Sequence, residues 1–67
     1  MALTQTELPA AHEIISQLIG QAILDLHRHG KNIHQLQIVN YLMAQQEKEA
    51  DETRRFFLGV AAGLLAL

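Results

Sequence analysis

The sequence predicts an all-α chain, a small three-helix domain, and three observations carry that prediction. Proline occurs once, at Pro9. Apolar residues recur at three- and four-residue steps along most of the chain. No stretch alternates apolar and polar residues between turn signals, as a half-buried strand would. Helices are expected at about 9–29, 33–47 and 52–66, in a single interaction domain covering 1–67, packed or intertwined as a homodimer.

The first helix is expected to start at Pro9, whose fixed φ suits a first helical turn. The preceding TQTE offers a capping box around Thr4, but Pro9 would then meet a carbonyl inside that helix. The helix runs to His29 and stops at Gly30, the natural residue for a left-handed C-terminal position. At about 100° per residue, Ile15, Leu18, Ile19, Ala22 and Leu26 form one stripe, with Ile23 at its edge. Leu24 falls opposite, among Gln17, Gln21 and Arg28.

Asn32 is expected to open the second helix, because Asn-x-x-Gln through Gln35 has the capping-box pattern. Leu36, Val39, Leu42 and Met43 make its stripe, widened by Ile38. Tyr41 lies off it, where an amphipathic ring suits a core edge or an interface. The segment QQEKEADETRR reads as a solvated charge run with a short break, Asp51 capping a third helix. Lys48 with Glu52, and Asp51 with Arg55, have the i,i+4 spacing of weak ion pairs.

The third helix carries FFLGVAAGLLAL, Phe56 to Leu67, without one charged residue. Phe56, Phe57, Val60, Leu64 and Leu67 share a stripe able to pack on the other helices. Gly59, Ala62, Gly63 and Ala66 gather on another side, a face without bulk. Each glycine costs a helix about 1 kcal/mol relative to alanine, so two of them four apart suggest a close approach of backbones. With Leu58, Ala61 and Leu65 added, the helix is apolar nearly all round, which means burial on several sides. One hairpin cannot surround it. The expected dimer interface is therefore Phe56, Phe57, Gly59, Val60, Ala62, Gly63 and Ala66.

Size points the same way. A 67-residue chain buries only about 60% of its unfolded surface and usually needs a staple. The absence of cysteine removes disulfides and thiolate zinc sites and fits a reducing cytoplasm. A partner chain is the staple to expect. The apolar run is shorter than the roughly 20 residues that span a bilayer, and its flank EKEADETRR is more acidic than basic. No membrane contact is expected. The N-terminus shows no charged n-region before an apolar h-region, so no signal peptide is read there.

Chemistry is sparse. No Gly-rich phosphate loop, activated serine or paired carboxylates on an apolar wall appear, so no catalytic residue, cofactor or small-molecule substrate is expected. Four histidines, His12, His27, His29 and His34, have no metal-ligand spacing. Acid would carry the formal charge from −2 toward positive values. His29, in the last turn of the first helix, is the candidate pH-responsive group. The five Lys and Arg are scattered, so DNA binding by this chain alone is not expected.

The stretch LIGQAILDLHRHGKNIHQLQIVNYLMAQQEKEADETRR resembles the enterobacterial YmgB/AriR family of biofilm-development and two-component connector proteins. The likeness is carried by GQAILDL, the glycine turn GKN, the helix QIVNYL and the acidic segment closing in Arg-Arg, across roughly Ile15 to Leu65. Small proteins of the fumarase D type share a comparable length and plan, and that alternative stays open. The resemblance implies a small helical homodimer without catalytic activity. It also implies binding to a response regulator of the Rcs phosphorelay, modulating biofilm or acid-stress programmes, with DNA association proposed for some members. For such a heterologous partner the outward residues Leu24, Arg28 and Tyr41 are the candidates.

Overall fold

Helix formation starts earlier than the proline suggests. A computed structural model describes residues 7–67, with side chains from residue 9 onward, and places α1 at Glu7–Arg28. Pro9 sits inside the first turn, where backbone N–H groups have no intrahelical acceptor, so its missing donor is no loss. The proposed cap Thr4 lies outside the described residues. The other end behaves as expected: Gly30 takes φ 70°, its N–H reaches the His27 carbonyl at 3.1 Å, and the Lys31 N–H reaches that of Leu26 at 2.9 Å. This paired closure satisfies two of the carbonyls the helix leaves open.

Asn32 does not cap α2. The helix spans Gln35–Lys48, its N-cap is His34 in an extended conformation, and no side chain closes that end. Gln35, expected to reach back toward Asn32, instead donates its amide to the Leu65 carbonyl on the third helix. A tertiary acceptor has taken the group that the local box would have used.

Three residues, Glu49 to Asp51, separate α2 from α3, Glu52–Ala66. Asp51 caps α3 as expected, accepting from the Thr53 N–H at 3.0 Å. Lys48 and Glu52 therefore lie on different helices, and the ion pair that forms is Arg54 to Glu49 at 2.8 Å. The other Glu49 oxygen accepts from the Asp51 N–H at 3.2 Å, and Arg55 donates to the Glu49 carbonyl at 3.4 Å. Glu49, through its carboxylate and its carbonyl, thus organises the connection.

The core takes Leu18, Ala22 and Leu26 from α1, Ile38, Val39 and Leu42 from α2, and Leu58, Ala61 and Ala62 from α3. Ile15, Ile19, Ile23, Tyr41, Phe57 and Leu65 flank it. The α1 stripe is the expected one. The other two helices are turned relative to expectation: Leu36 and Met43 are 64% and 51% exposed, and Phe56, Leu64 and Leu67 also face out. The inward side of α3 is the one carrying alanines. Small side chains let α2 and α3 approach closely, and Ala61 is wholly buried. Gly59 marks the tightest place, where an added Cβ would stand 2.5 Å from the Gln46 amide nitrogen.

Candidate interaction surface

Turning α2 and α3 in this way leaves an apolar face on the outside of the hairpin. Helical spacing puts Leu36, Asn40 and Met43 on one side of α2. Phe56, Gly63 and Leu67 lie on the outward side of α3. Leu36 and Ala66 meet across a shallow apolar hollow with Gln35 and Val39. Gly63 opens onto free space, with nothing within 4 Å of a Cβ built there. The face is bulky at both ends and low in the middle. Its charged groups, Glu47 and Glu52, are exposed at the hinge end, and what the rest of the face offers is desolvation and shape.

The seven residues expected at a dimer interface are divided by the fold. Phe56, Gly63 and Ala66 are exposed; Phe57, Gly59 and Val60 are half-buried. Ala62 is buried against the chain's own core. Gly59 accommodates Gln46, whose amide donates to the Arg55 carbonyl at 3.2 Å. Half of the small-residue face thus serves contact within the chain. Leu36, Met43, Leu64 and Leu67 lie outside that expected set and stand on the exposed side. Their signal was present, since Val39, Leu42 and Ile38 already complete a stripe without Leu36 and Met43.

The residues proposed for a second partner lie across the molecule. Leu24 is 61% exposed. Arg28 and Tyr41 converge on Asp25: the Tyr41 hydroxyl donates to one carboxylate oxygen at 2.5 Å, and Gln21 and Arg28 donate to the other at 2.8 and 3.0 Å. The Tyr41 bond, then that of Gln21, holds the Asp25 carboxyl below its ordinary range despite some desolvation, with Arg28 and His29 adding to the effect. The same bond, with desolvation behind it, pushes the Tyr41 phenol up. Tyr41 is therefore a side-chain link between α1 and α2, with its ring against the core edge.

His29 follows the last residue of α1, and its ring Nδ1–H donates to the Asp25 carbonyl at 2.7 Å. His12, His27, His29 and His34 are all exposed. Among the described residues no three His, Cys, Asp or Glu side chains stand together as metal ligands. Among them, too, no helix is long and apolar enough to cross a membrane. A second hollow, lined by Ile14, Gln17, Leu18, Gln21 and Arg54, mixes amides with aliphatic side chains and contains no nucleophile. The chain matches no protein-family model, no curated protein and no solved structure.

Proposed function

We propose that this chain is a small non-enzymatic regulatory protein that homodimerises and binds a signalling partner, a response regulator of a two-component phosphorelay. The observation that carries the reading is the apolar outer face of α2 and α3, with Leu36, Met43, Phe56 and Leu67 all more than half exposed. The largest apolar patch on a protein is often a contact surface, and patches beyond about 300–600 Å2 are rare on monomers. The regulatory partner is supported by the likeness to YmgB/AriR proteins, and a cytoplasmic site of action accompanies it. Biofilm or acid-stress expression is the programme such a connector would modulate.

Two measurements test the reading separately. Light scattering coupled to size exclusion should give twice the chain mass at micromolar concentration. Calorimetric titration with the purified Rcs response regulator should give saturable heat. No heat at concentrations where the regulator is intact would remove the partner from the proposal and leave self-association standing.

A further inference from the structure

Resting on that reading, we infer that the second copy covers the outer α2–α3 face, with Leu36 and Met43 of α2 as central contacts alongside Phe56, Gly63 and Leu67 of α3. Three observations lead there. The first is area. At about 150–200 Å2 per large side chain, the low end of the aromatic range, the exposed fractions of Leu36, Met43, Phe56 and Leu67 amount to roughly 400–550 Å2. With the surrounding small residues this approaches the ~800 Å2 per partner of a standard stable interface.

The second is charge. Around a two-fold axis each residue near the centre meets its own copy, so a charge placed there would face a like charge. From Phe56 to Leu67 the chain has none, and Asn40, between Leu36 and Met43 on α2, is neutral. Glu47 and Glu52 fall at the hinge end, away from the centre. A face that is neutral at its middle can pair with itself, whereas a charged heterologous surface would lose hydration on it and gain no counter-charge.

The third is relief. The bulky ends stand on either side of open space at Gly63, so a side chain of one copy can enter the low middle of the other, and reciprocally. The contact is shared between two helices. That separates it from a pairing of the third helices alone, in which Leu36 and Met43 would stay wet.

The test is sedimentation equilibrium on the full chain with Leu36→Glu, Met43→Glu and, as the control on the opposite side, Leu24→Glu. The expected result is a dimer whose dissociation constant rises at least tenfold with either α2 substitution and is unchanged by Leu24→Glu, helicity by circular dichroism being retained in each. Because the chain has no cysteine, single-cysteine variants give a check that does not depend on the charged variants folding. Met43→Cys, at a residue placed near the two-fold axis, should oxidise to a covalent dimer, and Leu24→Cys should not. A dimer unaffected by Leu36→Glu and Met43→Glu, or one cross-linked through Leu24→Cys alone, would overturn this face and keep self-association. A wild-type chain still monomeric at millimolar concentration would overturn both, and the regulator titration would then judge the remaining function by itself.

Discussion

The α2–α3 hairpin and the α1 helix are held by different physics. Where α3 turns inward its residues are small: Ala61 and Ala62 are buried, and Gly59 makes room for the Gln46 side chain of α2. Glutamine amides clasp the pair at both ends, Gln46 onto the Arg55 carbonyl and Gln35 onto that of Leu65. Helix α1 meets this hairpin with larger side chains, Leu18 and Leu26 buried and Ile15, Ile19 and Ile23 only partly so. Its side-chain tie to α2 is the bond between Tyr41 and Asp25. The difference teaches that the hairpin depends on shape and α1 on apolar area with, among the described residues, one polar latch to α2. Removing volume should hurt everywhere, adding it should hurt the hairpin most, and changing pH should reach α1 first.

The largest effect is expected where both halves meet. Leu42 is 1% exposed, and Leu42→Ala should cost about 3 kcal/mol in denaturant unfolding, in the lower part of the range for buried leucines. Ala61→Leu breaks the hairpin's close approach, because Ala61 is fully enclosed. Overpacking of that kind costs about 1–3 kcal/mol. An Ala61→Leu protein as stable as wild type would show that the helices separate easily and that close approach is not what holds them.

Tyr41→Phe tests the latch. Asp25 has a lowered pKa when folded, so its contribution is present above the ordinary carboxylate value, about 3.9, and is lost as pH falls through the lower folded value. Tyr41 is raised, so its contribution is present below about pH 10 and is lost as pH climbs through the raised value. Stability measured against pH should therefore fall off below about pH 4 and above about pH 10 in the wild type. Tyr41→Phe should be less stable than wild type at pH 7, and the gap should close at both extremes. A constant gap across pH would assign the loss to packing.

The smallest effect sharpens the comparison within α3. Gly59→Ala should be nearly neutral, within about 0.5 kcal/mol. The helix gains about 1 kcal/mol of propensity, and the new methyl displaces the flexible end of Gln46, which gives up its bond to Arg55. Paired with Gln46→Ala, which empties that place, the same substitution should become clearly stabilising in thermal unfolding.

Legibility followed contrast. In α1 the polar residues Glu13, Gln17, Gln21 and Arg28 outline the apolar stripe, and the stripe read from spacing is the one the core uses. Helix α3 has no such outline, since every residue from Phe56 to Leu67 is apolar or glycine. Bulk suggested that the phenylalanines and Leu64 point inward. Packing kept Phe57 at the core edge with Leu65 and buried Leu58, Ala61 and Ala62, while Phe56 and Leu64 face out. The Asp51 cap was readable because its partner Thr53 is local. The Asn32 cap failed because the acceptor for Gln35 lies on another helix, beyond any local pattern. The candidate surface was readable as an uncharged run on α3, and its α2 half was hidden inside a stripe assigned to the core.

The short Glu49–Asp51 connection has a consequence for the order in which the chain assembles. Contacts between α2 and α3 join residues near in sequence, and such contacts form early because little loop entropy is lost in closing them. Helix α1 leaves the ribosome first, yet its buried leucines have nothing to cover them until the hairpin exists. The segment made first is therefore the one completed last, and its apolar stripe is open to other chains during that interval. In the mature protein the same asymmetry should reappear as amide exchange, with α1 protons exchanging through a partial opening that leaves the hairpin closed.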